Sequence, residues 1–99
     1  APLRRLTMAD RVLKVNAFTT FDLLDGGVEG HGFAEEAFAT LNVRTAREAP
    51  EEITLELELD NTELEHVPPH ADRVTLSVAE ARTLASELQE AAERVEGAE

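Results

Sequence analysis

From Ile53 to Asp60 the chain alternates without exception: Ile53, Leu55, Leu57 and Leu59 in one phase, Thr54, Glu56, Glu58 and Asp60 in the other. Successive side chains of a strand point to opposite faces, so this run is a half-buried strand with one side on a core and the other in water. A slip of one residue would turn Glu56, Glu58 and Asp60 into the core, which fixes the register. A chain built around this segment needs an antiparallel sheet with one apolar face, and something to cover that face.

The cover is written at the C-terminal end. After a short β-type run, Val74-Thr75-Leu76, comes Ser77-Val78-Ala79-Glu80, a capping box in which the serine hydroxyl accepts an early helix N–H and the glutamate reaches back. Val78, Ala81, Leu84, Ala85, Leu88, Ala91, Ala92 and Val95 then recur three or four residues apart. This spacing predicts an amphipathic helix of about 18 residues stopped at Gly97. Its other side carries Arg82, Glu87, Glu90, Glu93 and Arg94.

The remaining strands are read with less constraint. Arg11–Leu24 alternates as one strand, Leu13, Val15, Ala17, Thr19, Phe21 and Leu23 on one face, with Val12 and Phe18 standing on the nominally wet one. Asp25-Gly26-Gly27, followed by Gly30 and Gly32, predicts a hairpin connection over 25–32. Phe33–Thr45 fits both periods at its start; its end, Thr40-Leu41-Asn42-Val43, favours strand, which we place from about Glu36. Ala46–Glu52, with Pro50, and Asn61–Asp72, with Pro68-Pro69, are loops. Strands followed by one helix predict an α+β domain: an antiparallel sheet of about four strands with one C-terminal amphipathic helix packed on one face. The domain is expected over 11–97, after an N-terminal arm at 1–10 whose Met8 reads as the ancestral start, with 1–7 as an upstream extension.

Charge bounds the setting. The 99 residues hold 21 Asp and Glu against 9 Lys and Arg, for a net charge of −12, and a hydrophobic content of 42% is ordinary for a globular chain. Sixteen of the acids are Glu, and Lys14 is the single lysine among eight arginines. Self-repulsion of this size destabilises a compact state at low ionic strength and is relieved by screening. A protein of molar salt is one reading; a mesophilic acidic protein from a GC-rich genome is the other. The charge argues against nucleic acid, whose phosphates need clustered Lys and Arg. There is no Cys, hence no disulfide and no thiolate ligand or nucleophile. No apolar run approaches a membrane span, and a cytoplasmic location is expected.

Few residues promise chemistry. His66 and His70, with Glu63, Glu65 or Asp72 near, are weak candidate metal ligands: Pro68-Pro69 between them forbids the helix that would set both on one face, and an exposed extended loop is the better explanation. His31, between Gly30 and Gly32, is a candidate base or ligand with no nucleophile to serve. Gly26-Gly27-Val28-Glu29-Gly30-His31-Gly32 lacks the lysine of a phosphate loop and lies among Asp22, Asp25 and Glu29, which repel phosphate. Glu56, Glu58 and Asp60 make a same-face carboxylate row, read as a solvated face. Ser77 is used up as a cap, and no catalytic residue or cofactor site emerges.

Arg11-Val-Leu-Lys-Val-Asn-Ala-Phe-Thr-Thr-Phe-Asp-Leu-Leu-Asp-Gly-Gly, Gly30-His-Gly-Phe, Ala37-Phe-Ala-Thr-Leu-Asn-Val and Leu55-Glu-Leu-Glu-Leu-Asp-Asn-Thr-Glu resemble a set of short acidic haloarchaeal proteins of unknown function, over about residues 8–96. The resemblance implies a salt-rich cytoplasm and carries no site residues. Three functions therefore stand: a non-enzymatic interaction module, homodimeric through a sheet face or edge; a small-ligand or divalent-metal protein using the histidines and nearby carboxylates; and, last, an enzyme of unknown reaction.

Overall fold

A computed structural model describes the backbone of Arg11–Val15 and the whole of residues 18–46, 50–60, 62 and 64–98. The arm at 1–10, the Met8 start and the candidate ligand Glu63 lie outside the described residues. In chain order come β1 (Arg11–Val15), β2 (Phe18–Gly30), β3 (Phe33–Thr45), β4 (Ile53–Leu59), β5 (Ala71–Leu76) and α1 (Val78–Gly97). The strands form one antiparallel sheet in the order β1-β2-β3-β4-β5, so every strand pairs with its sequence neighbour. This is the expected α+β class, with one strand more than the four or so anticipated.

The extra strand comes from the segment read as one strand over Arg11–Leu24. It is two, with Val15 opposite Phe18 and Val12 opposite Phe21. Each of two antiparallel strands keeps its own alternation, so periodicity alone does not separate one long strand from two. The apolar Val12 and Phe18 in the wrong phase were the mark of the change of direction.

The second difference concerns the glycines. β2 runs unbroken to Gly30, and the turn is only His31-Gly32, with Gly30 opposite Phe33. Gly32 has φ 86°, a left-handed conformation that glycine adopts without steric penalty. Gly26 and Gly30 are strand residues selected for close approach. A Cβ on Gly26 would stand 2.7 Å from the Ala39 Cβ and 2.8 Å from a Leu59 methyl. One on Gly30 would fall inside the Phe33 ring, which lies across the bare backbone. The segment Phe33–Thr45 is strand throughout, which settles its ambiguous start.

A bulge sits in the middle of β2. Phe21 pairs with Leu41 and Leu24 with Ala39, so Asp22 and Leu23 together oppose Thr40. Leu23 takes φ 57°, unusual for a leucine. The Asp22 carboxylate secures it: Oδ1 accepts from the Leu23 N–H at 2.9 Å and from the Thr40 hydroxyl at 2.9 Å. The inserted residue changes the phase of β2, so that Leu24 and Gly26 join Phe21 on the apolar side.

That side is built as the alternation of β4 requires. Leu55 lies between Val43 and Val74, and Ile53 pairs with Leu76. Ala37 and Ala39 are buried. On the opposite side, the Thr20 hydroxyl donates to Asn42 Oδ1 at 2.9 Å, and Arg44 Nη2 meets Glu56 Oε2 at 3.3 Å. Asn42, 8% exposed, is the buried polar residue among those described and also faces Glu56, at 3.4 Å. Glu56 is therefore a partner in a cross-strand network rather than one of a solvated row.

α1 starts as its capping box predicts: Ser77 Oγ accepts from the Glu80 N–H at 3.1 Å, and Glu80 Oε1 accepts from the Ser77 N–H at 2.9 Å. The helix lies over the apolar side of the sheet, yet none of its residues is buried. Its stripe stands off the sheet across an apolar space.

Candidate functional site

The distal end of the β2–β3 hairpin is where the loop between β4 and β5 comes back onto the sheet. Glu35 shares the apolar side with Ala37 and Ala39 by alternation, a poor place for a carboxylate without partners. The loop provides them. Glu35 Oε2 accepts from the Glu65 N–H at 2.9 Å, and Oε1 accepts from the His66 N–H at 3.0 Å. His66 Nδ1 lies 3.2 Å from the same Oε1. The Glu65 N–H holds the Glu35 carboxyl below its ordinary value; burial opposes it, and the contacts from His66 add to the lowering. The His66 ring stacks on Phe33, centroids 4.7 Å apart and planes 7° from parallel.

Ligand atoms of Glu35, Glu65 and His66 lie within 4.8 Å of one another. Two carboxylates and an imidazole at this spacing suit a borderline divalent cation such as Zn²⁺ or Mn²⁺. Of the expected ligands, His66 and Glu65 belong to this cluster. His70 does not: its Nδ1 takes up the Pro68 carbonyl at 2.8 Å, and its Nε2 faces Asp72 Oδ2 at 3.3 Å. The Pro68 contact, with Asp72 behind it, raises the His70 pKa above its ordinary value. Asp72 belongs to β5, and proline geometry between 66 and 70 turns the two imidazoles to different partners. His31 occupies the exposed turn, away from any cluster among the described residues. Glu35 escaped the sequence reading because it is 31 residues from His66; its one signal was a charge in an otherwise apolar phase of β3.

The second feature is the space under α1. It has a volume of about 430 Å³ and an almost wholly apolar lining, with Phe21, Leu24, Leu41 and Leu55 below and Leu84 and Leu88 above. Leu88, although part of this lining, is 61% exposed, as is Val95, and Val78, on the helix, and Val74 and Leu57, on the sheet, are also exposed. No helix among the described residues is long and apolar enough to cross a membrane.

A family model for a family of unknown function, DUF6360, matches residues 8–97, nearly the span of the resemblance drawn from the motifs. No curated protein and no solved structure matches the chain.

Proposed function

Starting from the chain's membership of the DUF6360 family, whose function is unknown, we propose that it is a small non-enzymatic interaction module of a salt-rich cytoplasm, working as a homo-oligomer. The exposed apolar residues carry this reading: Ala37 and Ala39 are the buried apolar residues among those described, while leucines and valines of both layers remain exposed. A net charge of −12 on such a body is best tolerated under strong screening. Light scattering of the full chain in about 2 M KCl tests the reading: a dimer mass is expected, and a monomer at all concentrations overturns it.

The cluster of Glu35, Glu65 and His66 favours a second reading, a divalent-cation site, with donor atoms within 4.8 Å. Calorimetric titration with Zn²⁺ or Mn²⁺ should give saturable heat that His66→Ala abolishes. A titration without saturable heat removes this reading and leaves the first intact.

A further inference from the structure

We infer that the site of Glu35, Glu65 and His66 is a cation-operated latch: a zinc-type divalent ion bound there ties the 64–70 stretch of the loop between β4 and β5 to the β2–β3 hairpin, and so sets how often that stretch opens. This rests on the divalent-cation reading and adds to it the class of ion and the consequence of binding. The donors come from two places in the chain. Glu35 belongs to β3, whereas Glu65 and His66 are neighbours on the loop, 30 and 31 positions further on. An ion that takes all three as ligands cannot stay fully bound when the loop leaves the sheet.

Two of the donors already stand near the spacing of a zinc chelate. His66 Nδ1 is 3.2 Å from Glu35 Oε1, and two ligands of a tetrahedral Zn²⁺, at its usual bond lengths, are separated by about 3.4 Å. Each donor is aimed by contacts that an ion would leave intact. The Glu35 side chain, 14% exposed, is oriented by the Glu65 N–H on Oε2 and the His66 N–H on Oε1, and a carboxylate oxygen keeps a further lone pair for a metal. The His66 imidazole lies flat on Phe33, planes 7° from parallel, and Phe33 lies in turn against the bare backbone of Gly30. Supporting contacts of this kind fix the direction of a ligand before the metal arrives. Glu65 supplies the third donor, within 4.8 Å of the other two. Its side chain is exposed and closes the triangle by rotating.

The donor set selects the ion. Ca²⁺ takes roughly six to eight oxygens, and Mg²⁺ a near-ideal octahedron of oxygens that it leaves water reluctantly to enter. An imidazole nitrogen with two carboxylates meets neither demand and suits Zn²⁺, with water in the remaining position.

The test is amide hydrogen exchange of the full chain with and without Zn²⁺, run beside the calorimetric titration. Bound ion suppresses every opening that releases it, so at about a hundred times the dissociation constant exchange at residues 65 and 66 should slow about a hundredfold. Mg²⁺ at the same concentration should leave it unchanged. Glu65→Ala removes an exposed ligand and neither of the backbone bonds to Glu35, so metal-free exchange should stay as in the wild type while the slowing by Zn²⁺ is lost. Phe33→Leu keeps all three ligands and removes the support of the ring; it should weaken Zn²⁺ binding about 10- to 100-fold. Saturable Zn²⁺ heat with unchanged exchange at 65 and 66, or equal slowing by Mg²⁺, overturns the zinc latch while the cation reading stands. The absence of saturable heat with Zn²⁺ and Mn²⁺ overturns both.

Discussion

Phe33 and His66, 33 positions apart in the chain, lie ring on ring at 4.7 Å and nearly parallel. The pair closes a small structure whose parts depend on one another. Gly30 leaves room for the Phe33 ring, Phe33 gives His66 a flat apolar surface, and Glu35 holds the backbone of Glu65 and His66 by two N–H bonds. Glu35→Ala should therefore release the β4–β5 loop without unfolding the sheet. Amide hydrogen exchange is the measurement: protection of residues 65 and 66 should be lost, and that of β3 and β4 retained. Equal loss everywhere would mean that Glu35 serves global stability instead.

The acid limb of stability follows from three carboxylates. Glu35, Asp60 and Glu80 all titrate below their ordinary values, held down chiefly by the Glu65 N–H, the Thr62 hydroxyl and the Ser77 N–H respectively. A lowered folded-state pKa means that the ionised form favours folding, so this stabilisation is complete above the unfolded values and is lost as the pH falls through the lowered ones. The melting temperature should therefore fall as the pH is taken below about 4.5, in high salt where net repulsion is screened. His70 has the opposite sign. Its pKa is raised above 6.5, so its contribution is present below that value and is lost as the pH rises through the raised one. His70→Gln should flatten the change in melting temperature as the pH rises above about 6.5 and leave the acid limb alone.

Leu23 and Gly26 predict opposite responses to exchanging side chain and glycine. Leu23 at φ 57° carries about 1–2 kcal/mol of left-handed strain. Leu23→Gly relieves it while giving up a half-buried side chain, so chemical denaturation should show little loss of stability, within about 1 kcal/mol of the wild type. Gly26→Val places a branched side chain against the Ala39 Cβ and the Leu59 methyl, and about 1–3 kcal/mol of overpacking should appear as a lower denaturation midpoint. If Leu23→Gly proves the worse of the two, the bulge is held by the leucine side chain and not in spite of it.

These positions also show which parts of the structure were legible. β4 and α1 were readable because each carries its own period and, for the helix, its own start in Ser77 and Glu80. The bulge at Asp22-Leu23 was not, since it follows from a mismatch between two strands and neither sequence alone contains it. The glycines were read as a turn because glycine serves two purposes, positive φ and close approach, and only the partner strand distinguishes Gly32 from Gly26. In the candidate site, His66 and Glu65 were visible as a local pair. Glu35 joins them through a loop that folds back over another hairpin, a long-range relationship that spacing does not encode.

The last prediction concerns salt. With a net charge of −12 the chain repels itself at every stage of compaction, and most of this acts between exposed groups, where screening is effective. The Debye length contracts from about 10 Å at 0.1 M to about 3 Å at 1 M, so repulsion between carboxylates such as Glu87, Glu90 and Glu93 on the outer face of α1 largely vanishes over that range. Each kcal/mol relieved raises the melting temperature of a domain this size by about 4–8 °C. Thermal unfolding by circular dichroism should therefore shift upward by several degrees from 0.1 to 1 M KCl. A screening effect saturates once the Debye length is shorter than the spacing of the charges, and further gain from 1 to 3 M then reports salting-out of apolar surface. NaCl and KCl should act alike in the first range. An unchanged melting temperature across it would mean that the carboxylates are held in arrangements where they do not oppose the fold, and the salt-rich setting proposed for the chain would lose its physical basis.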